Sequence, residues 1–335
     1  MRTSPRHLDA AAPGGGLTRV PLRLGAVPAR LPGVPSPGRH VPLITESGPL
    51  RVHVRETGGP GAETAVYLHG LAGSASNWTD LAAALAPNLR GLAVDLPGFG
   101  RSVPPDRFDY SGEQHAHVVI RLLEESGAGA VHLVGNSFGG AVAVLVAAHR
   151  PDLVASLTLI SPAVPDLRPD PRRMSDPRIP LTRLPLLGPA VRRRLAAVPP
   201  GERARRLLEL CFAEPGAVPA DRLDAVVEEF RERAGFDWAE AALDRTTTGL
   251  VRSWLAPPWR SPWRLLPLVQ APSLVVWGAA DRVVGVRKAP RTARELRRGR
   301  LLVLPRTGHV AQLERPRVVA AAVLGMLDEV ELGHW

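Results

Sequence analysis

One stretch constrains this chain more than any other. Val131-His132-Leu133-Val134 is a short apolar run that ends in Gly135-Asn136-Ser137-Phe138-Gly139-Gly140, and residues 141–148 continue as an Ala/Val-rich segment long enough for a buried helix. A strand that becomes a helix within so few residues needs a tight turn, and a Cβ at Gly135 or Gly139 would collide there. The G-x-S-x-G pattern sets one serine on that turn and lifts its hydroxyl above the sheet edge. In a chain with 32 glycines the pattern alone means little. Its weight depends on what stands around it.

The surroundings are those of an α/β protein. Residues 65–68, 89–94, 154–160, 273–277 and 300–304 are short apolar runs of the kind buried on both faces of a parallel sheet. Helical stretches fall between them at about 77–86, 112–126, 138–149, 287–296 and 311–329. Strands alternating with helices imply a mostly parallel, doubly wound sheet with active groups at the carboxyl ends of its strands. Residues 41–44 and 50–55 add a hairpin turned by Glu46-Ser47-Gly48-Pro49.

Two segments stand outside that rhythm. Residues 162–265 contain no strand-like run but have helical stretches near 189–197, 202–213 and 220–233, and so read as an inserted helical piece between core segments 41–161 and 266–335. Residues 1–40 carry Gly14-Gly15-Gly16 and prolines at 13, 21, 28, 32, 35 and 37. They lack the periodicity needed to bury a core and read as a disordered or loosely attached extension.

A serine hydroxyl becomes a useful nucleophile when a base takes its proton and an acid steadies the resulting imidazolium. In this architecture the chain order is serine, acid, histidine. Downstream of Ser137, Asp281 follows the 273–277 strand in Trp277-Gly278-Ala279-Ala280-Asp281, and His309 follows the next strand in Pro305-Arg306-Thr307-Gly308-His309. Asp166 and Asp170, beyond the 154–160 strand, are alternative acids. A developing oxyanion needs backbone N–H donors, each worth about 3 kcal/mol in the barrier. The amide of Phe138 opens the elbow helix, and the amide of Leu71 lies in His69-Gly70-Leu71-Ala72-Gly73, where the glycines let the backbone fold inward.

These motifs together resemble the α/β-hydrolase superfamily. The residues that carry the resemblance are His69-Gly70, Asp95-Leu96-Pro97-Gly98-Phe99-Gly100-Arg101-Ser102, Gly135-Asn136-Ser137-Phe138-Gly139-Gly140, Asp281-Arg282-Val283-Val284 and Gly308-His309 with Glu314-Arg315-Pro316. The resemblance covers about residue 41 to the end. It implies a cofactor-free serine hydrolase acting on an ester-like acyl bond, with residues 162–265 as a cap inserted before the acid-bearing strand. Serine at 137 speaks against the branches whose nucleophile is aspartate. Asn136 is similar to the hydrolases of meta-cleavage products, which cut C–C bonds, although Leu71-Ala72-Gly73-Ser74 departs from that group's Ser-Gly-Pro-Gly type of loop. A hydrolase-fold receptor for a small molecule is a third reading.

Other classes are excluded or find little support. The net charge of +10 comes almost entirely from arginines, Lys288 being the only lysine; apart from Arg192-Arg193-Arg194 and Arg203, Arg205 and Arg206 they are scattered, and few aromatics lie among them, which argues against a nucleic-acid partner. Cys211 is the only cysteine, so no internal disulfide forms. His115 and His117 are two apart on a helix and do not face together, and no nucleotide-binding loop is present, so neither a metal nor another cofactor is expected. No apolar run approaches the roughly 20 residues of a membrane helix. The expected partner is a small-molecule substrate and the expected location cytoplasmic. Trp78, Val283, Val310 and Trp238 are candidate walls of an apolar pocket.

Overall fold

The computed structural model describes residues 6–10, 18–29, 31, 35–59, 61, 63–166, 188–218 and 220–335. Near the N-terminus β1 (Arg6–Ala10) and β2 (Thr18–Leu22) pair as an antiparallel ribbon. The remaining strands are β3 (Gly38–Thr45), β4 (Gly48–Thr57), β5 (Thr64–Leu68), β6 (Arg90–Val94), β7 (Val131–Asn136), β8 (Val154–Ile160), β9 (Ser273–Gly278) and β10 (Gly299–Leu304). They form one sheet in the order β10-β9-β8-β7-β5-β6-β4-β3. From β10 to β6 every pair is parallel, and only β3 and β4 run antiparallel to their neighbours. The apolar runs take these central places because β5, β7 and β9 bury every residue and need cover on both faces.

Helices supply that cover. On one face the core joins α2 (Gly112–Ser126) and α3 (Phe138–His149) to the sheet through Val119, Leu122, Val142 and Val146. On the other face α1 (Thr79–Leu85) and the C-terminal helix, whose range is Pro316–Glu331, bring Leu81, Leu85, Val319 and Val323 against Tyr67 and Val276. The α2 boundaries are written in its ends. Ser111 Oγ accepts from the Gln114 amide at 3.1 Å, and Gly127 closes the helix at φ +64°. The architecture is the doubly wound sheet that the sequence implies.

The chain leaves the sheet after β8 and returns at β9, its neighbour. In between, the described residues form α4 (Gly188–Ala196), α5 (Pro200–Cys211), α6 (Ala220–Ala234) and α7 (Ala239–Trp254). α7 has no counterpart in the sequence reading. Its centre carries Thr246-Thr247-Thr248, a β-branched run that weakens a helical signal. Burial of Ala242 and Thr246 overrides that local preference. After β9 come α8 (Ala289–Glu295), α9 (Ala311–Glu314) and α10 (Pro316–Glu331), the C-terminal helix.

The expectation of a loose extension through residue 40 does not hold for residues 18–27. Val20, Leu22 and Val27 are buried in the same core face as α10. The Arg23 amide donates to Ala321 O at 3.0 Å, and the Arg23 guanidinium pairs with Asp328 at 2.8 Å. Two alternating apolar residues between prolines and glycines are too short a signal to read from sequence. The docking depends on a small residue in α10: a Cβ at Gly325 would lie 2.2 Å from Pro21 O. Gly325→Val should therefore push β2 off the helix and destabilise the fold by about 1–3 kcal/mol in a denaturant melt. Unchanged stability would mean that residues 18–27 do not pack there.

Candidate active site

The β7–α3 junction is as tight as its glycines require. Ser137 has φ +53° and ψ −117°, a conformation that costs a non-glycine residue about 1–3 kcal/mol. A Cβ at Gly135 would stand 2.4 Å from Gly139 O, and one at Gly139 would stand 2.1 Å from Leu68 O. The strain is held from both sides. The Ser137 amide donates to Ile160 O at 3.0 Å, and Ser137 O accepts from the amides of Ala141 and Ala163 at 3.1 and 2.8 Å.

Two backbone donors are left over beside this serine. Phe138 is the first residue of α3, so its amide has no partner within the helix. Leu71 lies in the loop after β5, which folds against the elbow closely enough that a Cβ on Gly70 would be 3.0 Å from Ser137 Cβ. That loop is bent by the Gly73 amide donating to Gly70 O at 3.1 Å and by Ala72 at φ +59°. Neither the Phe138 nor the Leu71 amide donates to a protein acceptor among the described residues.

Asp281 and His309 meet on consecutive strand-end loops. His309 Nδ1–H donates to Asp281 Oδ2 at 2.9 Å, with the two side chains 5% and 0% exposed. Asp281 Oδ1 accepts from the amides of Val283 and Val284 at 2.8 and 2.9 Å, so the carboxylate has no freedom to turn away. This places the lone pair of the neutral imidazole on Nε2. The alternative acids are not beside this histidine: the buried Asp166 pairs with Arg287 and, at 3.7 Å, with Lys288, and Asp170 lies outside the described residues.

Asn136 joins the two halves of the site. Its buried amide group donates to Ile160 O at 3.0 Å and to His309 O at 3.1 Å, tying the residue before the serine to the histidine loop. His69 fixes the start of the loop that carries Leu71. The Leu96 amide donates to His69 Nε2 at 3.0 Å, and His69 Nδ1–H donates to Gly70 O at 2.7 Å. Burial lowers the pKa of this imidazole, against the pull of Asp95, which keeps it neutral and able to accept. Asp95 pins the next loop through His53 Nδ1 at 2.7 Å and the amides of Ala75 and Arg101. Burial works to raise its pKa, but the His53 hydrogen bond, the nearby His69 and the two amides hold it below the usual carboxylate range.

Of the candidate pocket walls, Trp78 belongs to the core instead. Trp78 is fully buried in the core, stacked on Tyr67 with ring centroids 5.4 Å apart. A large apolar side chain beside a loop reads as a pocket wall in sequence, but here α1 needs it as core. Trp238 stacks on Phe236 at 5.0 Å and packs, with Val283, against the core. A chamber of about 780 Å³ opens behind the Leu71 loop, between Gly73 and Ser76, α6 and Leu313. Ser137, Val310, Trp238 and Val283 do not line it. Sequence reasoning also passed over Cys211 O, which accepts from the His309 amide at 2.6 Å; a backbone carbonyl leaves no signal in sequence. Burial, with Asp281 and Glu314 nearby, pushes the Cys211 thiol up to about 12, so it stays protonated. Among the described residues no group of three His, Cys, Asp or Glu side chains is placed to hold a metal ion, and no helix is long and apolar enough to cross a membrane.

Comparison with known proteins places this geometry in context. The family described as the alpha/beta hydrolase fold matches residues 66–316. The chain is 31% identical to the dihydrolipoyllysine-residue acetyltransferase component of the acetoin cleaving system of Pseudomonas putida, over 85% of this chain and 69% of the relative. It is 27% identical to a 2-hydroxy-6-oxononadienedioate/2-hydroxy-6-oxononatrienedioate hydrolase of Cupriavidus pinatubonensis, over 83% of this chain and 91% of the relative. A crystal structure of a membrane phospholipase A, described as a bacterial virulence factor, is similar with a TM-score of 0.71 at 27% identity, covering 88% of this chain and 86% of that one. The His309–Asp281 bond can be checked without any substrate. The Nδ1 proton should resonate well downfield of the amide region in a proton NMR spectrum and disappear in Asp281→Ala; its survival there would mean the bond goes elsewhere.

Proposed function

The chain belongs to the α/β-hydrolase fold family, and on that premise we propose that it is a serine hydrolase that cleaves an ester-like acyl bond in a small, mainly apolar substrate. The observation that carries the reading is the buried His309–Asp281 pair, tied by the Asn136 side chain to the elbow that bears Ser137. A histidine held in this tautomer offers Nε2 as a base, and a serine on a strained turn offers a hydroxyl as nucleophile.

In the proposed cycle Ser137 Oγ attacks the acyl carbon and its proton passes to His309 Nε2. Asp281 steadies the imidazolium that results. The amides of Leu71 and Phe138 take the negative oxygen, which they meet without reorganising because both already lack protein partners. His309 returns the proton to the leaving alcohol, and the same steps with water release the acid from Ser137. The inserted helices α4 to α7 serve as a cap, and the aromatic side chains of the inserted piece suit an apolar substrate. No step needs a cofactor.

A second reading has its own support. Asn136 before the serine resembles the hydrolases of meta-cleavage products, and one relative is named for a 2-hydroxy-6-oxononadienedioate substrate. Purified protein offered p-nitrophenyl acyl esters beside a dienol ring-fission product separates the two. The ester reading expects turnover of the esters, lost by about 10⁴-fold or more in Ser137→Ala. Turnover confined to the dienol would overturn the bond class, and activity retained by Ser137→Ala would overturn the nucleophile.

A further inference from the structure

The end of α5 is fastened to both loops that carry the charge-relay side chains. The last carbonyls of a helix lack intrahelical partners and must find them elsewhere. Here Cys211 O accepts from the His309 amide at 2.6 Å, and Glu209 O accepts from the Arg282 guanidinium at 3.0 Å. Arg282, next to Asp281, and the backbone of His309 itself therefore satisfy the helix end.

Glu314 completes the junction. Its Oε1 accepts from the Gly308 amide at 2.6 Å and its Oε2 from the Ala213 amide at 3.0 Å, so a single carboxylate bridges the histidine loop and the segment just past α5. Glu314 has no ion pair among the described residues. Burial raises its pKa, although the Ala213 and Gly308 amides favour the charged form. A half-buried carboxylate outside any ion pair costs desolvation, and the two amide hydrogen bonds, with the charge of the neighbouring Arg315, are what offset that cost. The fit is close: a Cβ at Gly308 would lie 2.3 Å from Cys211 O and 2.8 Å from the Ala213 nitrogen.

We propose that Glu314 is a positioning residue that locks the backbone around His309 to the end of α5, so that the imidazole is in register for Ser137 only while the inserted helices are seated. This rests on the serine-hydrolase reading and extends it. Displacing α5 breaks the Cys211–His309 bond and half of the Glu314 bridge together. Loss of register at the base then slows chemistry and leaves the binding surfaces of the substrate intact. A misplacement of the order of 1 Å costs a reaction of this kind about 10²-fold.

The test measures inactivation of the full chain by a fluorophosphonate, with rates normalised to active sites by titration. Glu314→Ala should lower kinact by roughly 10–100-fold with KI within about threefold of the parent, and Glu314→Gln, which keeps an acceptor oxygen, should recover part of the loss. Ala213→Pro removes the donor on the α5 side and sets the ring Cδ in its place, breaking that half of the bridge. Phe212 is already extended at φ −97°, ψ 145°, the region that a residue before proline prefers. It should lower kinact in the same direction. Amide hydrogen exchange at Gly308 and His309 should rise in both variants, a readout independent of catalysis. An unchanged kinact in Glu314→Ala, whatever its melting temperature, overturns the positioning role; an effect in Glu314→Ala with none in Ala213→Pro overturns the coupling to α5. If the parent itself is not labelled but the exchange pattern follows the prediction, the hydrolase reading has failed and the lock has not.

Discussion

The site depends on one steric constraint, the crossing of β7 and α3 at a residue with φ +53°. Backbone from β5, β7 and α3 comes together there so closely that Gly135 and Gly139 leave no room for a methyl group. That packing forces Ser137 into a backbone region a serine avoids, and the surrounding hydrogen bonds to Ile160 O, Ala141 and Ala163 keep it there. With the elbow fixed, the amide of Phe138 points out of the helix start, and the Leu71 loop has to lie across the serine. The local strain of a few kcal/mol is offset by a sheet whose central strands are buried on both faces.

Everything else at the site is held by groups that reach across sequence. Asn136 connects the elbow to His309, His69 connects the Leu71 loop to Leu96, and Asp95 fixes the loops at Ala75 and Arg101. Asp281 spends one carboxylate oxygen on its own loop and the other on His309. Each of these side chains is buried and hydrogen-bonded, and a buried polar group that loses its partner is costly. Rigidity at the strand ends follows from that arithmetic. The inserted helices enter the same network where Cys211 O accepts from the His309 amide and where the Ala213 amide donates to Glu314.

The parts legible in sequence are those set by local rules. The elbow was readable because its glycines are a steric requirement, and the sheet because buried strands leave continuous apolar runs. Asp281 and His309 stood out because both follow such a run within a short glycine-containing turn. What escaped notice depends on long-range burial. Val20 and Leu22 are two apolar residues in a Pro/Gly-rich stretch, and only the surface of α10 at Gly325 makes them core. α7 was hidden by three consecutive threonines. Trp78 looked like a pocket wall because sequence cannot say which way a side chain beside a loop will turn. Glu314 stood in plain sight five residues past His309, yet its role needs Ala213, about a hundred residues away.

The central claim is that Ser137 carries the acyl group between the two half-reactions. The most direct measurement is to mix the protein with a slowly deacylating chromogenic ester, quench in acid at the end of the burst, and map the acyl group by peptide mass spectrometry. The account predicts close to one acyl group per chain, on the peptide containing Ser137. An acyl group on another residue, or steady turnover with no acylated peptide under any quench time, would contradict it.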